Sequence, residues 1–244
     1  AGGWDGQIRK WNSDGDLLWS EKLPDRITEI IFHKNQIILT SGLHIVNLNS
    51  ETGQINWQHP LEGSADSAIV EDDEIYATSS VYDIEHNDFL ESAIWKYSLE
   101  GEQKWVIKLN ERPWFIMSYQ SRVLVGLGRP MSGWAEILSE GEIINHQLET
   151  SSPIMCGTMT SNEVLLGHAD GTISNLKTTE NKLEQSVESL QATEKIRIAS
   201  LEGGELVATD AGNKTIWAEP GAPISTQAIG FKSSKITTHW STRW

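Results

Sequence analysis

Cysteine is nearly absent from this chain of 244 residues, in which Cys156 is the only thiol. A single cysteine cannot form a disulfide within the chain, so we expect the fold to be held by packing, with Cys156 as a small buried side chain. No apolar run approaches the ~18 residues of a membrane helix, which predicts no membrane insertion. Residues 1–4 lack the basic and apolar regions of a secretory signal. A cytoplasmic location is slightly favoured, and secretion is the alternative if Ala1 is a processed N-terminus.

Basic residues are also few: 19 lysines and arginines stand against 34 acidic residues, for a net charge of −15. Nucleic acid is therefore not expected as the main ligand, because its backbone requires a positive field. The G-x-S-x-G, H-E-x-x-H, C-x-x-C and P-loop signatures are missing. The sequence accordingly predicts no catalytic residue, no metal site and no cofactor, and it favours a protein that is not an enzyme.

Phenylalanine and tyrosine number four each, whereas there are 11 tryptophans. Several of these tryptophans belong to an internal repeat, seen in residues 8–19, 45–57 and 94–105, which read IRKWNSDGDLLW, IVNLNSETGQINW and IWKYSLEGEQKW. Each copy has a short strand, a polar turn that ends in glycine, and a tryptophan four residues later. The glycines are Gly15, Gly53 and Gly101, and the tryptophans are Trp19, Trp57 and Trp105.

Three weaker copies continue the pattern over residues 134–145, 173–185 and 216–225. In these copies Gly141, Asn181 and Gly221 are expected at the turn, and Asn145, Gln185 and Ser225 replace tryptophan. Two further short strands separate consecutive turns, as in ITEIIFH and QIILTSG, or IRIASLE and ELVATD. A period of about 40 residues with four strands per copy is typical of propeller blades.

The repeat predicts an all-β fold: one domain over residues 1–244, a six-bladed β-propeller of four-stranded antiparallel blades. The termini would meet in one shared blade, with ITTHW (236–240) as a first strand and STRW (241–244) continued by residues 1–8. Such closure removes open sheet edges. The alternative is a fragment of a seven- or eight-bladed propeller.

Residues 48–57, LNSETGQINW, resemble the tryptophan-docking motif of pyrroloquinoline-quinone-type propeller repeats. The resemblance implies that Thr52 and Gly53 form the turn and that Trp57 packs on the neighbouring blade; Trp19 and Trp105 match at the glycine and tryptophan positions. The quinone enzymes of that family usually have eight blades, a vicinal cysteine pair and a calcium site. One cysteine and six repeats do not fit that pattern, so the resemblance implies the fold and not the cofactor. WD repeats are the other similar family, although Gly167-His168 and Trp4-Asp5 lie outside their register.

One copy is longer than the others, because residues 81–92, VYDIEHNDFLES, are inserted between its second and third strands. Long insertions in compact domains are functional more often than average. Three interpretations are open: a plain solvated hairpin, a partner-docking loop, or a cation site. The candidate residues are Tyr82, Asp83, Glu85, His86, Asp88, Phe89 and Glu91.

In a propeller, the loops between second and third strands and the links between blades emerge at one end. That end would gather side chains of the kinds common at binding hot spots: Trp4, Arg26, Tyr82, His86, Arg112, Trp114, Arg129, His168 and Asp210. Trp4 and Trp114 have the alternative of packing on a neighbouring blade. The sequence therefore predicts a non-enzymatic scaffold, with a monomer favoured, that binds a protein or peptide at this end. The alternative is a small-ligand binder or a hydrolase- or lyase-type enzyme using the central channel, where dispersed histidines would converge.

Overall fold

Short strands and tight turns make up the regular structure of this protein. The computed structural model describes residues 1–148, 150, 152–161, 163–176, 179–183, 185–219, 225–232 and 235–241. Every regular element in these ranges is a β-strand. The all-β prediction is confirmed.

The chain divides into two compact units. Unit 1 comprises Ala1–Val125 and Glu136–Ile144, and unit 2 comprises Gly126–Ala135 and Asn145–Trp244. Unit 1 contains three sheets: β1 (Gln7–Trp11) with β2 (Leu17–Lys22); β3 (Ile27–His33), β4 (Gln36–Ser41), β5 (His44–Asn49) and β6 (Ile55–Pro60); and β7 (Ser64–Glu71), β8 (Glu74–Asp83), β9 (Asp88–Ser98) and β10 (Gln103–Leu109).

A fourth sheet has residues that belong to both units: β11 (Arg112–Tyr119), β12 (Arg122–Gly128), β13 (Gly133–Ile137) and β14 (Ile143–Leu148). Unit 2 contains the remaining strands: β15 (Ile154–Met159), β16 (Val164–His168), β17 (Thr172–Asn175) and β18 (Thr179–Lys182); β19 (Val187–Ala192), β20 (Ile196–Leu201), β21 (Leu206–Asp210) and β22 (Thr215–Glu219); and the pair β23 (Ser225–Lys232) and β24 (Lys235–Ser241). The four-stranded sheets keep their strands in chain order. They match the predicted four-stranded sheets.

Burial follows the position of a strand within its sheet. In the sheet β3–β6, the second and third strands are buried on both faces, and Ile38, Val46 and Leu48 are fully enclosed. The fourth strand instead alternates between exposed and half-buried residues. Alternation of this kind is what a strand with one solvated face requires. Unit 1 therefore has its core between sheets, where Ile45 packs in one cluster with Ile75 and Ala77.

Tryptophan and glycine form the junctions between successive sheets of unit 1. The indole Nε1 of each repeat tryptophan donates a hydrogen bond to a backbone carbonyl in the turn that follows one repeat later: Trp19 to Ser50, Trp57 to Leu99 and Trp105 to Ser139, at 3.1, 2.8 and 2.9 Å. The ring lies against the turn glycine, which has positive φ. A Cβ on Gly53 or Gly101 would come within 2.5 or 2.8 Å of that ring. Both the backbone conformation and the close approach therefore require glycine.

The register predicted for the last two copies is wrong. Asn181, expected at a turn, is the third residue of β18 and pairs with Ile173. In the sheet β19–β22, the left-handed turn residue is Asn213, with φ 66°, and Trp217 follows four residues later as the third residue of β22. Trp19, Trp57 and Trp105 are likewise the third residues of their strands. Asn181 and Trp217 thus continue the tryptophan column.

This shift also reassigns the strands around it. IRIASLE and ELVATD form the second and third strands of their sheet, because residues 187–192 supply a first strand anchored by buried Val187 and Leu190. Ser225 does not follow a turn as a fourth strand; it begins β23, which pairs with β24. Gly221 and residues 242–244 lie outside the described residues.

Candidate functional site

Five loops lie at one end of unit 1, and hydrogen bonds join three of them. We call this set the loop end of unit 1; it consists of residues 23–26, 42–43, 61–63, 84–87 and 110–111. The amide of Gly42 donates to the carbonyl of Arg26 at 3.0 Å, and the Ser41 hydroxyl donates to the carbonyl of Asp25 at 2.7 Å. The amide of Leu61 donates to the carbonyl of Leu43 at 2.7 Å. The loops of residues 23–26, 42–43 and 61–63 therefore form one continuous platform.

Arg112 is at the centre of an aromatic cluster on this platform. Its guanidinium carbon lies 3.9 Å from the centre of the Trp114 ring and 4.2 Å from that of Phe89. Phe89 in turn contacts Tyr82 edge to face, with 5.1 Å between ring centres. Cation–π contacts of this kind stabilise by about 0.5–2 kcal/mol each. The cluster joins the start of β11 to the inserted hairpin.

A carboxylate beneath the cluster neutralises Arg112. Arg112 forms an ion pair with Asp66 at 2.9 Å, and Asp66 also accepts a hydrogen bond from Ser80. Burial raises the pKa of Asp66, while Arg112 opposes that rise. The indole N–H of Trp114 and the Nε of Arg112 are buried and have no acceptor among the described residues. Arg112 and Trp114 are half-buried, so they support the platform more than they project from it.

Trp4 and Arg26 form a second arginine–tryptophan pair, which is exposed, unlike Arg112 and Trp114. The Trp4 side chain is 79% exposed, and the guanidinium of Arg26 lies 5.3 Å from the centre of its ring. Arg26 is itself exposed. The alternative for Trp4, packing on a neighbouring sheet, does not agree with this exposure. Trp4 and Arg26 are both accessible from solvent.

The insertion at residues 81–92 lies between second and third strands and lengthens the hairpin β8–β9. Its cross-strand pairs run from Val81 with Glu91 to Asp83 with Asp88. At the turn, Asp83 Oδ1 accepts from the amides of Glu85 and His86 at 2.8 and 3.0 Å. The Asp83 carboxylate also pairs with His86 Nδ1 at 3.0 Å, and hydrogen bonds from His86 lower the pKa of Asp83. His86 thus stabilises the turn.

A concavity of about 580 Å³ opens beside this turn. We call it the hairpin cleft; it is lined by Val81, Tyr82, Asp83, Ile84, Glu85, Leu90 and Glu91. Ile84 is 85% exposed, Tyr82 44% and Leu90 38%. The sequence did not single out Ile84, Leu90 or Asp66. The exposure of the two apolar side chains and the pairing of Asp66 with Arg112 depend on contacts that form only in the folded chain.

Three of the predicted binding residues lie in unit 2: Arg129, His168 and Asp210. The side chains of His168 and Asp210 have structural roles. His168 is 2% exposed; its Nδ1–H donates a hydrogen bond to the Ser152 carbonyl at 3.3 Å, and its Nε2 lies 2.8 Å from the Ser174 hydroxyl. The expectation that His168 is available to a partner is therefore wrong. Burial also lowers the pKa of His168.

The position of Asp210 differs from the predicted one because of the register shift described above. It ends the third strand β21, not a second strand, and its Oδ1 accepts from the amides of Gly212 and Lys214 at 3.0 and 2.9 Å. The expected position between second and third strands is wrong, and the carboxylate caps the β21–β22 turn. Arg129 does lie between second and third strands, is exposed, has φ 57° and precedes a cis peptide bond to Pro130.

The described ranges contain no candidate metal centre and no membrane-spanning helix. No group of three His, Cys, Asp or Glu side chains there could hold a metal ion, the inserted hairpin included. Within the same ranges, no helix has the length and apolar character needed to cross a membrane. Cys156 is the one free thiol, and burial raises its pKa to about 12.

No family model and no curated protein sequence matches the chain. Solved structures do. BamB from Moraxella catarrhalis is 14% identical with a TM-score of 0.69, covering 89% of this chain and 69% of that one. Sqt1 from Saccharomyces cerevisiae is 11% identical with a TM-score of 0.77, covering 97% and 76%. The computationally designed Ika8 protein is 13% identical with a TM-score of 0.63, covering 98% and 88%.

Identities this low concern the fold alone, and they give no support to the quinoprotein resemblance in particular. The four-stranded sheets, their chain-order topology and the similarity to BamB and Sqt1 together show that this chain has a β-propeller-type fold.

Proposed function

We propose that this protein is a non-enzymatic scaffold that binds a protein or peptide through the loop end of unit 1. The observation that carries the proposal is the exposed apolar and aromatic surface of the inserted hairpin, which is anchored by the contact of Phe89 with Arg112. Ile84 and Tyr82 are exposed on a hairpin that Phe89 holds against Arg112. A rigid site loses little conformational entropy when a partner binds.

The free energy gained by burying these apolar side chains supports the proposal. Complete burial of a side chain such as Ile or Tyr contributes about 1.5–3 kcal/mol. Aromatic residues and arginine dominate binding hot spots, and Trp4, Tyr82 and Arg26 supply such groups at this end. These exposed groups would contribute to affinity only when a partner covers them.

The test replaces Tyr82–Leu90 with the two-residue turn Asn-Gly, which joins the cross-strand partners Val81 and Glu91 directly. The shortened protein and the intact protein are used as baits in the source organism's lysate. The control is Phe32→Ser, which removes a side chain 69% exposed beside the β3–β4 turn, away from the loop end. Removing the Phe89 contact with Arg112 should lower the free energy of unfolding by about 1 kcal/mol.

A partner captured by the intact protein and by Phe32→Ser, but lost with the shortened hairpin, is the expected result. Equal capture by all three baits would contradict the assignment of this surface. Arg112→Ala is a poor probe here, because it would leave Asp66 buried without its counter-charge and so test stability instead of binding.

We also propose the six-bladed count. Five four-stranded sheets are complete, and the two-stranded pairs β1–β2 and β23–β24 have the number of strands needed for a sixth shared between the termini. A crystallographic blade count tests it: seven or eight blades in the intact protein would contradict it.

A further inference from the structure

The hairpin cleft combines apolar walls with charge of a single sign. Val81, Tyr82, Ile84 and Leu90 form the apolar part. The other lining residues are Asp83, Glu85 and Glu91, and no lysine or arginine lines the cleft. The apolar surface can take up an uncharged side chain, while the charged groups that line the cleft are all carboxylates.

Two of these carboxylates have no counter-charge. Asp83 is paired with His86, but Glu85 and Glu91 make no ion pair with any residue in the described part of the chain. Both glutamates are exposed. By contrast, two nearby acids are neutralised, Glu62 by Lys108 and Asp66 by Arg112. Negative charge without an ion pair thus lies in the cleft next to the exposed apolar side chains.

We infer that the hairpin cleft binds a linear segment of a partner protein in which an apolar side chain is flanked by lysine or arginine. This inference rests on the proposed function and names the chemistry of its partner. The apolar side chain packs on Tyr82, Ile84 and Leu90, and the flanking cations pair with Glu85 and Glu91. Complementary charges of this kind set specificity and association rate more than affinity. The protein's net charge of −15 disfavours an acidic segment or a phosphate backbone at the same surface.

The probes are synthetic peptides that separate the two parts of the inference. SGRXRGS, with X as Leu, Phe or Trp, carries both features. SGEXEGS keeps the apolar residue and reverses the charge, and SGRSRGS keeps the charge without the apolar residue. Binding to the full chain is followed by NMR titration of the backbone amides. A SGRXRGS peptide should shift the amides of residues 81–91 and bind about tenfold more tightly than either control peptide.

Variants test the named side chains. Ile84→Ser and the double variant Glu85→Gln/Glu91→Gln should each weaken binding of the best SGRXRGS peptide about tenfold. Raising NaCl from about 0.05 to about 0.5 M should weaken binding to the native cleft and change little in the double variant. Phe32→Ser and Glu100→Gln, an exposed glutamate in the β9–β10 turn, are the matched controls and should bind as the native chain does.

Several results would overturn the inference: no shifts with any SGRXRGS peptide, equal binding of SGEXEGS, or unchanged affinity in the Glu85→Gln/Glu91→Gln variant. These failures are distinguishable from failure of the proposed function. Lysate capture that depends on the hairpin, together with no preference for basic peptides, would leave the scaffold role standing and reject only this class of partner.

Discussion

Tyr97 is among the most deeply buried aromatic residues of unit 1. It is 1% exposed and stacks on His59, with 5.3 Å between ring centres and 7° between ring planes. Burial raises the pKa of Tyr97 to about 12. Because tyrosine in an unfolded chain titrates near pH 10, the neutral phenol is the form that the fold favours.

Alkaline pH should therefore destabilise the protein through Tyr97. The folded pKa lies above the unfolded one, so the contribution is complete below about pH 10 and is lost as pH rises towards about 12. Between those limits the loss is on the order of 2 kcal/mol. Urea unfolding at about pH 9 and about pH 11 should show a smaller decline for Tyr97→Phe than for the native chain. Tyr82→Phe, at an exposed position, is the control, and an identical decline in Tyr97→Phe would contradict this account.

The types of residue at the candidate site could be predicted from the sequence, but their exposure could not. Trp4 and Trp114 are both tryptophans close to a loop, yet the Trp4 side chain projects into solvent whereas the Trp114 indole N–H is buried. Likewise His86 is exposed and His168 is enclosed. Exposure depends on neighbours that are distant in sequence, such as Phe89 beside Trp114. Periodicity carries no information about those neighbours.

At the scale of the element, substitutions of the turn glycines can measure how tightly the tryptophan ring packs at the junction. Gly15 and Gly101 both have φ of +90°, but a Cβ at Gly15 would meet nothing within 4 Å, whereas one at Gly101 would lie 2.8 Å from the Trp57 ring. The two positions therefore differ in the packing of the ring and not in backbone conformation.

Gly15→Ala should cost about 1–2 kcal/mol, the conformational penalty alone. Gly101→Ala should cost about 1–3 kcal/mol more, because the ring must move. Chemical unfolding of both variants checks this difference. Equal costs would mean that the indole yields without loss and that the junction is loosely packed.

The repeat predicted strands well where glycine and tryptophan mark each turn, as in residues 45–57. In unit 2 the prediction is wrong, because it expects a turn residue at Gly221 whereas the structure has one at Asn213. Asn adopts positive φ nearly as readily as glycine, and Asn213 does so with Trp217 four residues later. An asparagine followed by tryptophan four residues later is thus the signal that marks this turn in the sequence.

For the molecule as a whole, the distribution of indoles predicts unequal stability. Trp19, Trp57 and Trp105 secure the junctions of unit 1, whereas the corresponding residue in the sheet β15–β18 is Asn181. Large aromatic side chains bury the most area per residue. We therefore expect the sheet β15–β18 to open before the sheets of unit 1.

Amide hydrogen exchange should show this order. The amides of β4, β5, β8 and β9 should exchange more slowly than those of β16 and β17. Trp57→Ala should reduce the difference, because it removes one junction, with a loss on the order of 3 kcal/mol. Uniform protection across both groups of strands would show that the indoles do not govern local stability.

The inserted hairpin gives this protein a place where new sequence can be accommodated. Val81 and Glu91 face each other across β8 and β9, so any segment that begins and ends at this pair leaves the strands below it in register. Sheet pairing and the residues of the tip are therefore under separate constraints. The tip can diversify while the core is conserved, and it is the natural position for grafting a different recognition loop or inserting a reporter domain.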